Sequence, residues 1–149
     1  MTLENLLAIR QLLAHTADPA AMRKLLEAAR RNLADARVDS ISTDNRFDAA
    51  YKCVMQCAML GLWARGYRTS TSQPGHHQTA IQCLGHTMGV DRDDIIVLDA
   101  LRRKRNLSDY EGDPVSEATL AEALSQAARL LAHTEAWLRA SHPEAMGNA

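Results

Sequence analysis

Apolar residues recur along this chain at spacings of three and four rather than two, the rhythm of helices that each bury one face. Leu3, Leu6, Leu7, Ile9, Leu12 and Leu13 carry that rhythm through residues 3–14, which predicts a first helix there. Asp18 followed by Pro19 reads as a cap and first-turn proline, so a second helix is expected over residues 19–36, with Arg23, Lys24, Arg30 and Arg31 on a solvated face. A polar break then offers Ser42, Thr43 and Asp44 as caps for a long helix over residues 45–65. Phe47, Tyr51, Val54, Met55, Ala58, Met59 and Leu62 form its broad apolar stripe, and Gly66 stops it. Residues 67–74 read as a polar loop, and residues 75–86 as a short helix with Ala80, Ile81 and Leu84 inward. Ile95, Ile96, Leu98 and Leu101 mark a helix over residues 91–107. Gly112 and Pro114 make residues 108–115 an expected loop. Ser116 caps a last helix to about residue 140, along Leu120, Leu124, Ala127, Leu130, Leu131, Thr134 and Leu138, and the tail 143–149 is expected to fray. No strand is expected.

The predicted architecture is therefore all-α: an up-and-down helical bundle of about four to six helices in a single domain, 1–149. Residues 1–40 would supply N-terminal helices that pack on a core formed by residues 42–140. Composition agrees, because hydrophobic residues reach 46% while aromatics are only 4%, leaving Leu, Ala, Met and Ile to build the interior. The net charge of -1 gives no global attraction to polyanions, so contact with nucleic acid must come from local clustering of the 17 Lys and Arg residues. Cys53, Cys57 and Cys83 are an odd set in apolar helical patterns, which reads as reduced thiols. With no secretory pattern at residues 1–9 and no run as long as a membrane span, a cytoplasmic protein without a membrane partner is expected.

The densest chemistry lies in residues 101–110. Arg102, Arg103, Lys104 and Arg105 are consecutive, followed by Asn106, Asp109 and Tyr110. On the last turn of a helix each cation gains ~0.3–1 kcal/mol from the dipole, which accounts for one or two of them. The rest must meet solvent, a carboxylate such as Asp109, or a bound anion. An amide, a carboxylate and a phenol within about a turn of Arg105 form a set suited to phosphates and bases.

Here the chain resembles a family. The long helix holding Arg46, Phe47, Asp48, Ala49, Ala50 and Tyr51 ends in Gly66, Tyr67 and Arg68. Gly75, His76 and His77 open the next segment, and Arg105, Asn106, Asp109 and Tyr110 precede the final helix. In that order these motifs look like the HEPN superfamily (higher eukaryotes and prokaryotes nucleotide-binding), over residues 42–138. The resemblance implies a helical bundle, commonly a homodimer, acting on RNA or a nucleotide in toxin–antitoxin or phage-defence systems, with an antitoxin or nucleotidyltransferase partner. It also implies metal-independent ribonuclease chemistry by an Arg, a following polar residue and a His roughly four to six residues after the Arg. Arg105 and Asn106 match the first two positions; Tyr110, Glu111 and Gly112 stand where the His would fall. The catalytic set carried over is thus Arg105, Asn106 and Tyr110. Arg102, Arg103, Lys104, Asp109, His76 and His77 are the nucleic-acid-contacting set. No cofactor and no metal are expected.

Other readings stay open. His76 and His77 point about 100° apart on a helix, so either one packs while the other is solvated, or one reaches the Arg105 surface and replaces the absent base. Cys53, Cys57, Cys83 and His86 have spacings from which a zinc site could be built, although buried cysteines in place of small apolar residues explain them as well. Asp44, Arg46 and Asp48 could pair with the basic cluster. The chain could instead be an interaction bundle that docks an acidic partner, or a bundle with a small-molecule pocket lined by Met55, Cys57, Met59 and Trp63.

Overall fold

The computed structural model describes residues 2–147 and shows an all-α helical bundle with one very small sheet. Its helices are α1 (Leu3–Ala8), α2 (Pro19–Ala36), α3 (Thr43–Ala64), α4 (His76–Gln82), α5 (Leu84–Met88), α6 (Arg92–Glu111) and α7 (Glu117–Ser141), followed by a 3-10 turn, Pro143–Met146.

Helix α3 is the axis. It buries Phe47, Ala50, Tyr51, Cys53, Val54, Met55, Cys57, Ala58, Leu60 and Leu62, too many positions for one stripe, because neighbours surround it. Helix α2 lays Met22, Leu26, Ala29, Leu33 and Ala36 along it, and α7 adds Leu120, Ala127, Leu130, Leu131 and Leu138. One continuous apolar core therefore runs from Leu3 to Ala145. The caps are those the residue types dictate. Asp18, Ser42 and Ser116 accept from the backbone N–H groups of Ala21, Asn45 and Thr119 at 2.7, 3.2 and 3.1 Å.

At Gly61 the backbone of α3 meets α5 so closely that a Cβ would lie 2.7 Å from Thr87 Oγ1 and 3.1 Å from Thr87 Cβ. Thr87 is buried and branched, so it cannot swing away. Gly61→Ala should therefore cost about 1–3 kcal/mol of packing, less the ~1 kcal/mol that Ala gains over Gly in a helix. Urea denaturation would check the sign, and a variant more stable than wild type would contradict it.

The structure departs from the predicted elements at five places. The first helix stops at Ala8 because Arg10 takes a left-handed φ of 62°. The N–H groups of Arg10 and Gln11 then turn back to Leu7 and Leu6 carbonyls at 3.1 and 3.0 Å. The second departure follows: Leu12–Ala14 becomes β1 and pairs antiparallel with β2 (Tyr67–Thr69), Leu12 opposite Thr69 and Ala14 opposite Tyr67. Neither three-residue strand is long enough to show an alternating pattern. Third, α6 continues to Glu111, so residues 108–111 are helical rather than loop; Gly112, at φ 70°, ends it. Fourth, the tail predicted to fray forms the turn at Pro143–Met146 with Ala145 fully buried, held by Arg23 donating to the Glu144 carbonyl at 2.8 Å. Fifth, the helix expected over residues 75–86 is split at Cys83 into α4 and α5, which ends at Met88. Residues 148 and 149 lie outside the described residues.

Candidate phosphate-binding site

The extra turn of α6 changes how the basic cluster is held. Arg102 to Arg105 stand in the body of the helix, and its last turn carries no basic residue, so the dipole argument does not apply. Carboxylates hold the cluster instead. Asp99 is buried, and its Oδ1 accepts from Arg102 Nε and its Oδ2 from Arg103 Nη2, both at 2.8 Å. Burial alone would push the Asp99 carboxyl up, but the hydrogen bonds and charges of Arg102 and Arg103 hold it below its ordinary value. Arg105 Nε pairs with Asp109 Oδ2 at 2.9 Å, one turn on.

Arg105 also reaches across to α3, where its Cζ lies 5.4 Å from the centre of the Tyr51 ring. Tyr51 is buried, at 3% exposure, and its hydroxyl lies 3.1 Å from His77 Nδ1 at the start of α4. His76 sits edge-on to His77, ring centres 4.7 Å apart. One side chain of the central helix thus holds a guanidinium on its ring face and an imidazole on its hydroxyl. Three helices meet there.

Burial lowers the His77 pKa first of all, and the charges of His76, Arg105 and Arg102 lower it further, which favours the neutral ring. Burial pushes the Tyr51 phenol up to about 12, against the opposing pull of Arg105 and Arg102. An acid held up in the fold contributes its full stability below the ordinary value of 10.0 and loses it as pH rises toward about 12. Melting temperature should therefore fall across that interval, and Tyr51→Phe should remove that part of the alkaline loss. A phenolate absorbance titration run alongside the melts checks the assignment. Asp48, one turn before Tyr51 on α3, is raised by burial and then by Asp109, while Arg105 draws it down.

Of the residues singled out from sequence, the fold brings together Arg102, Arg105, Asp109, His76 and His77. Arg103 shares Asp99 but points outward, 70% exposed. Lys104 faces a separate hollow beside Leu107, Pro114 and Val115. Asn106 is half-buried on α6, and Tyr110 is 82% exposed, outside the cluster. Asp44 accepts from the Val115 N–H at 2.8 Å, and Arg46 donates to the Ala36 carbonyl at 2.8 Å, so of that acidic-basic trio only Asp48 faces Arg105. Cys53, Cys57 and Cys83 are buried, and among the described residues no three His, Cys, Asp or Glu side chains gather as a metal site. Met59 and Trp63 line a hollow of about 130 Å3 with Leu62, Arg68, Thr69 and Thr71. Met55 and Cys57 are in the core, so the imagined small-molecule pocket does not form. A cleft of about 430 Å3 opens on the other side of α4 between Leu6, Gln11, Gln78 and Gln82, but no Lys or Arg lines it.

Sequence reasoning missed Tyr51 and Asp99 as site residues. Both had a signal. Tyr51 is a polar-tipped ring in an otherwise apolar stripe, and Asp99 is a carboxylate among Ile95, Leu98 and Leu101, three and four residues before two arginines.

Among the described residues no helix is long and apolar enough to cross a membrane. No protein-family model, curated protein or solved structure matches this chain, so its own geometry carries the functional argument.

Proposed function

We propose that this bundle binds RNA, or a nucleotide, through phosphate contacts at the junction of α3, α4 and α6. The observation that carries the reading is the double hold of Tyr51: its ring carries the Arg105 guanidinium and its hydroxyl meets His77. Guanidinium groups suit phosphate because their donors form a planar fork that matches two phosphate oxygens. Preorganisation matters here, since Arg102 and Arg105 are already restrained and little side-chain freedom remains to be lost on binding. Asp109 opposes the reading locally: a phosphate must displace its carboxylate from Arg105. Affinity should therefore be salt-sensitive and moderate rather than tight.

The resemblance to HEPN bundles supports the same ligand class and adds a homodimer, a toxin–antitoxin or defence setting, and metal-independent ribonuclease action. In that scheme Arg105 stabilises the pentavalent phosphate and Asn106 orients it, while Tyr110, on the outer face of α6, is not placed to move the proton. Fluorescence anisotropy with a labelled single-stranded RNA across a salt series tests binding; no salt-dependent binding would refute it. Incubation with total RNA, with and without chelator, tests cleavage separately.

A second reading draws on the outer face of α6. Ile96, Leu107 and Tyr110 are exposed there in helical register, flanked by Arg103 and Lys104. Such a stripe suits a second copy of the chain or an acidic antitoxin or nucleotidyltransferase. A stoichiometric protein complex formed without any RNA affinity favours it.

A further inference from the structure

The buried hydroxyl of Tyr51 must send its proton somewhere, since a buried hydroxyl without an acceptor is costly. Among the described residues the one hydrogen-bond partner found for it is His77 Nδ1, at 3.1 Å. If Nδ1 carried the imidazole proton, the phenol oxygen would accept it and the phenol's own hydrogen would turn away, where among the described residues no acceptor is found. The arrangement that satisfies both groups has the phenol donating to a bare Nδ1. A neutral imidazole then keeps its proton on Nε2, and the neutral state is the one that burial and the neighbouring guanidinium groups favour.

We infer that Tyr51 is a positioning residue that fixes His77 with its proton on Nε2, so that His77 offers an N–H donor, alongside Arg102 and Arg105, to a phosphate-ester oxygen. The inference rests on the phosphate-binding reading for its ligand, but not for the proton's position. It assigns a sharp role to a residue for which sequence left two. His77 is neither an idle packing residue nor a ready base, because the nitrogen that could accept a proton is already occupied by the phenol and the other already carries one. An N–H donor fits an oxygen that carries negative charge throughout binding, whereas a ribose hydroxyl would have to lose its proton to some other group. The groups that face His77 are Tyr51 from α3, His76 from α4 and Arg102 and Arg105 from α6, and none of them is a carboxylate that could draw the proton to Nδ1.

Long-range nitrogen–proton NMR on labelled protein reads the tautomer directly, without any ligand. The wild type should show His77 protonated on Nε2 with a hydrogen-bonded Nδ1. Tyr51→Phe keeps the ring beneath Arg105 and removes only the hydroxyl. It should release the tautomer into a mixture and let His77 titrate at higher pH, because the bond that favours the neutral ring is gone. Labelled single-stranded RNA should then bind roughly three- to tenfold more weakly to His77→Ala, the size of one lost donor, and less than about threefold more weakly to Tyr51→Phe, which keeps part of the Nε2–H population. In a His77→Ala background the same substitution should change little, since the two act as a unit. A wild-type ring protonated on Nδ1 overturns the inference, and so does a Tyr51→Phe spectrum and titration identical to wild type. Should Tyr51→Phe fail to fold, the wild-type spectrum alone still decides. Protonation on Nε2 together with no RNA affinity would instead refute the phosphate ligand while leaving Tyr51 as the group that sets the tautomer.

Discussion

Asp99→Ala should lower stability by about 2–4 kcal/mol, because removing one member of a buried ion pair leaves the other charge without compensation. The Arg102 side chain is only 16% exposed and its Nε has Asp99 Oδ1 as partner at 2.8 Å, so it is the charge that would be stranded. Arg103, far more exposed, would lose its partner at little cost. For a chain of this size the deficit corresponds to roughly 6–15 °C in melting temperature at neutral pH. Asp99→Asn keeps a neutral acceptor for Arg102 and should lose about half as much. The pH dependence gives an independent check. The Asp99 carboxyl is held below its ordinary value of 3.8, so its contribution is full above that value and disappears as pH falls through the lower folded value. Wild type and Asp99→Ala should accordingly converge in acid. A variant that melts with wild type at pH 7 would show that Asp99 does not organise the cluster.

Arg105→Ala should weaken single-stranded RNA binding roughly ten- to a hundredfold, the range for one charge-assisted guanidinium–phosphate contact. It should also reduce the slope of log affinity against log salt by about one. Stability should fall by less than about 2 kcal/mol. The Arg105–Asp109 pair is partly exposed on both sides, at 29% and 32%, and such pairs contribute less than about 1 kcal/mol. The contact with the Tyr51 ring adds about as much. A large loss of affinity with little loss of stability therefore marks binding rather than folding. Asp109→Asn supplies the opposite sign: it frees Arg105, removes a negative charge beside the phosphate, and should raise affinity. If both variants bind RNA as the wild type does, the ligand does not meet Arg105.

Both predictions concern residues whose roles were unevenly visible in the sequence. The run Arg102 to Arg105 is conspicuous, and its candidacy needed no fold. What the run does could not be read there, since consecutive residues fan around a helix and each meets a different neighbour. Arg102 turned inward to Asp99, Arg105 turned to Tyr51, and Lys104 turned away toward the loop before α7. Tyr110 shows the opposite failure. It sits only five residues after Arg105 in sequence, but continuation of α6 through Glu111 leaves it on the outer face.

The sequence by itself determined the helical character of the chain and the limits of α2, the start of α3 and the start of α7. Those depend on local chemistry: apolar spacing, and the side chains of Asp18, Ser42 and Ser116 bonding to N–H groups three residues on. Tertiary structure decided the rest. The pairing of Leu12–Ala14 with Tyr67–Thr69 overrode a helical rhythm because the partner strand lies more than fifty residues away. The site arose in the same way. Tyr51, His77 and Arg105 are separated by whole helices along the chain, and only the packing of α4 and α6 against α3 places a phenol between an imidazole and a guanidinium.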